Sequence, residues 1–162
     1  MRMQLAVPKS QTAKVKAAVT GVVRFYVRGE PRRSKADKFS PSKVIEMLDK
    51  GLSFGELEDL QGILELPAEK LAAMLQISKA TFHRRKGGSG TLPAAVAERV
   101  VRYARLLGLA SKVFDELGAA KQWLNAPQFG LGGAVPLEYA KTEIGAREVE
   151  NLLGRIEYGV YS

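Results

Sequence analysis

The chain has 162 residues, of which 46% are hydrophobic and 26% are charged, a composition typical of a globular protein with one or two small cores. It contains no cysteine, which excludes disulfide bonds, thiolate metal sites and thiol nucleophiles. The apolar runs are too short to span a membrane or to form a signal-peptide core, so we expect a cytoplasmic protein that makes no membrane contact.

The net charge of +8 is concentrated at the N-terminus. Residues 1–38 carry ten Lys and Arg against two acidic residues, whereas the fifteen basic and fifteen acidic residues from position 39 onward cancel. A basic arm on a neutral body is typical of anion-binding tails, because phosphate contacts release counterions. The alternative is a solubilising terminus. Apolar residues in the arm also allow a short strand or helix that docks on the body or on a second copy. They are Val15, Val19, Val22, Val23, Phe25, Tyr26 and Val27.

Two helices are predicted after the arm. Ser40 and Pro41 supply a capping hydroxyl and a proline at the first helical position, and Gly51 ends the segment. Ser53 and Glu56 then have the spacing of a capping box, which predicts the start of a second helix.

The next segment, LPAEKLAAMLQISKATFHRRKGG, predicts a helix-turn-helix. Pro67 opens a short helix, Gln76 lies in the turn, and Ser78 caps a second short helix. Small Ala72 allows the two helices to cross closely, and Phe82 is expected to fill the core beneath them.

The second of these helices has the composition of a DNA-recognition helix. It is polar or cationic, and no acid occurs between Ser78 and Gly90, which suits a phosphate-lined major groove. The predicted DNA-binding residues are Ser78, Lys79, Thr81, His83, Arg84, Arg85 and Lys86. The alternative is that His83 is an ordinary surface residue and that the cations only complete a solvated helix end.

The pattern LAxxLxIS-x-x-T resembles the helix-turn-helix of the Xre/Cro-like repressors. That turn usually contains glycine where this chain has Gln76. A left-handed conformation costs a non-glycine residue about 1–2 kcal/mol. We therefore expect a wider turn here.

A long amphipathic helix is predicted from Pro93 to Leu107, with Gly108 ending it. Val96, Val100 and other apolar residues recur at helical spacing along one stripe. The stripe is wide enough to close the helix-turn-helix core, to pair with a second copy, or to do both.

The last third of the chain contains a glycine-rich loop, Phe129 to Gly133. It lacks the GK[ST] ending of a phosphate-binding loop, so we interpret its glycines as allowing a tight turn. Thr142 then leads into a final helix. The single histidine and the absence of suitably spaced carboxylates predict no catalytic residue, and we expect no metal and no cofactor.

Three stretches of this region, WLNAP, FGLGGAVPLEY and TEIGAREVENLLGRIEYGVYS, resemble the C-terminal toxin-binding domain of the Xre/MbcA/ParS-type antitoxins. The resemblance covers residues 109–162, and residues 53–107 are similar to the helix-turn-helix half of that family. It implies an all-α protein with a DNA-binding and dimerisation domain over residues 39–108 and a toxin-binding domain over residues 109–162. The basic arm, residues 1–38, is not covered by the resemblance and forms a third part.

The resemblance also implies a function. Such an antitoxin would cover the NAD-entry cleft of a RES-domain toxin that degrades NAD, and as a homodimer it would repress its own operon by binding operator DNA. The toxin-binding residues implied are Trp123, Leu131, Gly132, Pro136, Leu137, Glu138, Glu148, Leu152, Arg155, Glu157, Tyr158, Tyr161 and Ser162.

The charge of the segment agrees with this implication. Residues 127–162 carry five acids against three bases, and a cleft that binds the phosphates of a dinucleotide should be electropositive. The alternatives are that the glutamates are ordinary surface residues and that Leu152 and Leu153 belong to the core. At the level of function, the alternative is a stand-alone transcriptional regulator with a C-terminal oligomerisation or effector domain.

Overall fold

The computed structural model describes residues 21–28, 40–85 and 90–159, and this part of the chain is all-helical apart from an isolated bridge between Ser53 and Thr91. The helices are α1 (Val22–Arg28), α2 (Pro41–Lys50), α3 (Phe54–Leu64), α4 (Ala68–Leu75), α5 (Lys79–Arg85), α6 (Ala94–Phe114), α7 (Leu117–Asn125), α8 (Pro136–Tyr139) and α9 (Glu143–Glu157). A 3-10 turn, Phe129–Leu131, lies between α7 and α8.

Helix α6 is the centre of the fold. Helices α2, α3 and α4 pack against it from the N-terminal half, and α7 and α9 pack against it from the C-terminal half. Its buried stripe runs from Val96 to Ala110, as the predicted apolar periodicity requires. One hydrophobic core therefore serves both halves, and α6 continues without a break through the boundary predicted at residues 108 and 109.

The prediction that Gly108 ends this helix is wrong, because α6 extends to Phe114. Gly108 lies inside the helix at the point where α1 crosses it. A Cβ atom at this position would lie 2.1 Å from the carbonyl oxygen of Tyr26. The glycine is therefore explained by the close approach of another backbone, not by a helix end.

Helix α1 belongs to the segment predicted as a basic arm, and it is docked on the folded body. Val22 and Val23 are fully buried in the common core. Arg24 also forms a two-pronged ion pair with Asp59 of α3, with both nitrogen–oxygen distances at 3.1 Å. Residues Val22–Arg28 of the arm therefore form a short helix that packs on the body, which was one of the alternatives predicted for it.

The predicted capping box at Ser53 and Glu56 is wrong. Ser53 makes no side-chain cap hydrogen bond, although α3 does begin after it. The Glu56 carboxylate instead accepts the backbone N–H groups of Val22 at 2.9 Å and Val23 at 3.0 Å. These are unpaired donors in the first turn of α1, so Glu56 caps a different helix from its own.

Burial raises the pKa of Glu56, and the two backbone N–H groups only partly offset this effect. A folded-state pKa above the unfolded value contributes stability that is complete below the unfolded pKa and is lost as pH rises through the folded pKa. We therefore expect the difference in unfolding free energy, wild type minus Glu56→Gln, to decrease as pH rises from about 4 to 8. Urea titrations across this range measure this difference. An increase with pH would mean that the hydrogen bonds outweigh burial.

Other helix ends follow the predicted signals. The Ser40 hydroxyl accepts the Lys43 N–H at 3.3 Å, Pro41 is the first residue of α2, and Gly51 ends the helix with a φ of +94°. The Thr142 hydroxyl accepts the Gly145 N–H at 3.0 Å and caps α9.

Among the described helices, none is long and apolar enough to cross a bilayer.

Two arginines of α6 hold α9 in place. Arg102 donates to Glu143 at 3.1 Å and to the carbonyl of Lys141 at 2.9 Å. Arg105 donates to Glu150 at 2.6 Å and to Glu143 at 3.3 Å. Partial burial raises the pKa of Glu143, but the two arginines outweigh it, so the net shift is downward and the carboxylate stays charged. This network fixes the rotation of α9 on α6.

Candidate functional site

Helices α4 and α5 form the predicted helix-turn-helix, and the turn between them is tight. Gln76 has φ 55° and ψ 41°, the left-handed conformation that glycine adopts most easily. The N–H of Ile77 then bonds to the carbonyl of Ala72 at 3.0 Å. The expected widening of the turn is therefore wrong: Gln76 adopts the left-handed conformation despite its side chain.

The core beneath these helices contains the residues predicted for it. Ala72 is 2% exposed at the crossing, and Phe82 is fully buried on the inner face of α5. The Phe82 ring meets the Phe54 ring edge to face, with centroids 6.4 Å apart. Because Phe82 faces the core, the opposite side of α5 is left to solvent.

The predicted DNA-binding residues differ in where they lie and in what they contact. The Ser78 hydroxyl accepts the Thr81 N–H at 3.1 Å and donates to the Thr81 hydroxyl at 2.7 Å, so this pair caps α5. His83 and Arg84 are exposed on the outer face of the helix. Arg85 is the last residue of α5, and Lys86 lies outside the described residues.

Lys79 is paired with an acid that the sequence analysis did not single out. Its ammonium lies 2.8 Å from the carboxylate of Glu69, which comes from the first turn of α4. The hydrogen bond from Lys79 lowers the pKa of Glu69, so the carboxylate is charged at neutral pH. The surface proposed to face DNA therefore includes a negative charge. Because Glu69 and Lys79 are ten residues apart in the chain, their pairing is not evident from the sequence.

The C-terminal residues implied by the family resemblance lie partly inside the core. Leu131 and Pro136 are buried, and Leu137 is fully buried. Trp123 is half-buried, and its ring lies 5.7 Å from that of Phe114. Gly132 ends the 3-10 turn with a φ of +65°. These residues shape the C-terminal half from within, and a partner bound to this surface would not reach the Leu137 side chain.

The remaining C-terminal residues lie at the surface, mainly on α9. Glu148, Leu152 and Arg155 share one face of this helix at the spacing i, i+4, i+7. Glu157 and Tyr158 are exposed at its end, and Glu138 is exposed on α8. Tyr161 and Ser162 lie outside the described residues. Leu153 is fully buried and belongs to the core, whereas Leu152 is half-buried.

The acidic residues of this half serve two different purposes. Glu143 and Glu150 bind the arginines of α6, as described above. Glu138, Glu148 and Glu157 are exposed, and within the described residues they form no salt bridge. Only the second group is available to pair with a cationic partner.

Three exposed apolar residues near this face were missed by the sequence analysis: Phe129 at 96% exposure, Ile144 at 78% and Tyr139 at 42%. The glycines around Phe129 were interpreted only as allowing a tight turn, which does not indicate where its side chains point. The structure shows that Leu131 points into the core while Phe129, two residues earlier, points into solvent.

The described residues contain no group of three or more His, Asp or Glu side chains that could hold a metal ion. A cavity of about 490 Å³ lies between α1 and α6 and is lined by Tyr26, Arg105 and Lys112 among others.

Comparison with known proteins agrees with this two-part arrangement. Residues 43–105 match the model of the antitoxin Xre-like helix-turn-helix domain, and residues 109–159 match that of the antitoxin Xre/MbcA/ParS C-terminal toxin-binding domain. Helix α1 lies outside both matches.

Curated relatives point the same way. An "Antitoxin Xre" from Photorhabdus laumondii is 31% identical over 117 residues, covering 72% of this chain and 79% of the relative. One from Yersinia enterocolitica is 28% identical over 120 residues, covering 74% and 81%. A "Prs ADP-ribosylating antitoxin" from Sphingobium sp. is 24% identical over 161 residues, covering 94% and 98%.

Proposed function

Because the chain belongs to the Xre antitoxin family, we propose that it neutralises an NAD-degrading RES-domain toxin with its C-terminal half and represses its own operon with its helix-turn-helix. In this proposal the chain acts in the cytoplasm as an inhibitor and a repressor, with no catalytic role. The observation that carries it is the presence of two separate exposed faces, on α5 and on α9, in one chain whose halves match a DNA-binding and a toxin-binding domain.

The α9 face has the chemistry that covering a nucleotide cleft requires. Glu148 on this face, Glu138 on α8 and Glu157 at the end of α9 form no salt bridge within the described residues, and such carboxylates suit an electropositive entrance that attracts dinucleotide phosphates. Leu152 adds apolar area beside Glu148, and Tyr158 is exposed at the end of the helix. We propose that this face, rather than the buried residues Leu131, Pro136 and Leu137, meets the toxin directly.

The name of the Sphingobium relative favours a second candidate for the toxin's chemistry. That protein is named for ADP-ribosylation of Prs, and its match extends over 94% of this chain. Transfer of ADP-ribose to a protein and hydrolysis of NAD both break the bond to nicotinamide. A toxin of either kind would present an NAD cleft, so the surface required of the antitoxin is the same.

Co-expression with the protein encoded in the adjacent reading frame tests the neutralising role. We expect that protein to arrest growth when expressed alone, and we expect this chain to restore growth and to co-purify with it. An Arg84→Ala variant should restore growth equally well, because Arg84 lies on the DNA-binding helix. A chain that purifies alone and leaves growth arrested would favour the stand-alone regulator.

For the repressor role we propose that His83 and Arg84 on the outer face of α5 contact operator DNA, with Arg85 and Lys86 adding phosphate contacts. One short recognition helix binds weakly, so two copies on paired half-sites are required. We therefore propose that the chain binds DNA as a homodimer.

The ion pair between Glu69 and Lys79 makes a specific prediction about DNA affinity. Glu69→Gln removes a negative charge beside the phosphates and frees Lys79, so we expect about five-fold tighter operator binding and a log–log salt slope steeper by about one per protomer. Fluorescence anisotropy at several salt concentrations measures both quantities. Glu65→Gln is the matched control, because Glu65 pairs with Lys121 of α7 instead. Equal effects of the two variants would show that net charge alone is responsible.

A further inference from the structure

The most exposed large apolar side chain in the described residues is that of Phe129, at 96% exposure. Single exposed apolar residues are common on protein surfaces, but a phenylalanine held almost entirely in water is unfavourable for the isolated chain. Its neighbour Leu131, in the same turn, is 9% exposed and belongs to the core. The turn therefore directs one apolar side chain inward and the other outward.

The turn that carries Phe129 is rigidly braced. The Gln128 N–H bonds to the carbonyl of Ala134 at 3.0 Å, and the Gly133 N–H bonds to the carbonyl of Gln128 at 2.9 Å, which closes the loop on itself. The Gln128 side-chain amide also donates to the carbonyl of Trp123 at 2.9 Å. Because these bonds fix the backbone, little backbone entropy remains to be lost when Phe129 is bound by a partner.

Gly130 seats the turn against α9. A Cβ atom on Gly130 would lie 2.6 Å from Cδ1 of Leu152, so the glycine allows the backbone to rest directly on that side chain. Phe129 precedes this contact, and Glu148 and Arg155 flank Leu152 on the same face of α9. The result is an exposed aromatic ring beside an apolar spot that has an acid on one side and a base on the other.

We propose that Phe129 is the principal apolar anchor of the toxin interface, that it inserts into an apolar pocket on the toxin, and that Leu152 packs beside it. The inference rests on the proposed function. The toxin is the occupant to which we commit, because Phe129, Leu152, Glu148 and Arg155 all lie within the segment that matches a toxin-binding domain. The exposed aromatic with a charged surround is the arrangement of an interface hot spot.

The test compares wild-type chain with Phe129→Ala in calorimetric titrations against the purified protein from the adjacent reading frame. We expect the dissociation constant to rise about 100-fold for Phe129→Ala. We expect about a three-fold rise or less for Phe129→Tyr, which keeps the ring. Ile45→Ala is the matched control, because Ile45 is 58% exposed on α2 in the other half, and its affinity should equal that of wild type. Thermal unfolding of all variants should be unchanged, since neither side chain is buried.

The outcomes separate this inference from the proposed function. If the wild-type chain does not bind the toxin, the proposed function fails. If the wild type binds and Phe129→Ala binds equally well, the proposed function stands and the anchor is wrong. If Phe129→Ala changes only the oligomeric state of the free chain in light scattering, Phe129 contacts a second copy, and the inference is overturned.

Discussion

Replacing Gly145 with alanine is expected to abolish toxin binding and to lower the unfolding free energy by about 3 kcal/mol. Gly145 lies in the first turn of α9, and a Cβ atom there would lie 1.8 Å from the carbonyl oxygen of Tyr139. The backbone fixes the position of the Cβ atom, and its partner is a backbone carbonyl, so no side-chain rotation can relieve the contact. The start of α9 must move away from α8, which disturbs the Thr142 cap and displaces the α9 face.

Gly154→Ala is the matched control for this variant. Gly154 lies in the same helix, and nothing lies within 4 Å of a Cβ atom placed on it. Alanine there should stabilise the helix by about 0.5–1 kcal/mol. Urea unfolding and calorimetric titration with toxin measure the two effects. Normal toxin affinity in Gly145→Ala would contradict the role assigned to the α8–α9 junction.

Gly108→Ala is expected to detach α1 from the body. The new Cβ atom would lie 2.1 Å from the carbonyl oxygen of Tyr26, so α1 cannot keep its position on α6. Detachment exposes Val22 and Val23, and the burial of two valines is worth about 3 kcal/mol or more. We expect that loss in the unfolding free energy, together with rapid tryptic cleavage after Arg24 and Arg28.

Gly62→Ala provides the comparison, because Gly62 also lies inside a helix and has open space around its Cα. That variant should be cleaved after Arg24 no faster than the wild type. Slow cleavage at Arg24 in Gly108→Ala would mean that α1 tolerates the shift. Toxin binding by Gly108→Ala should persist, since α1 lies outside the segment that matches the toxin-binding domain.

The helix-turn-helix could be predicted from the sequence because its determinants are local. The cap at Ser78, the small residue at Ala72 and the core position of Phe82 lie within about one short motif, and local spacing reports such features well. The conformation of Gln76 was the exception. The packing of α4 and α5 imposes a left-handed turn on Gln76 although it is not a glycine.

The docking of α1 on the body was one of several alternatives for the arm, and the sequence could not select it because each of its determinants is non-local. Glu56 follows a serine at the spacing of a capping box, yet its carboxylate binds N–H groups 33 and 34 residues earlier. Gly108 has the position of a helix end, yet it accommodates a backbone 82 residues away, at Tyr26. A local pattern cannot distinguish these uses from the ordinary ones.

The C-terminal face shows the same division. The family resemblance indicated which segment forms it, but it could not distinguish core from surface, so buried Leu137 was grouped with exposed Glu148. The arginines of α6 likewise determine which acids form ion pairs. Glu143 and Glu150 are paired with them, and Glu148 is not paired within the described residues. Phe129 was missed because glycine-rich sequence does not reveal which way a turn directs its side chains.

The most direct test of the central claim is the rate at which the purified protein from the adjacent reading frame consumes NAD, with and without this chain. We predict that NAD disappears in the presence of that protein alone and is preserved when an equimolar amount of this chain is added. Unchanged NAD consumption in the presence of the chain, or a partner that leaves NAD untouched, would contradict the assignment of this chain as the antitoxin of an NAD-consuming toxin.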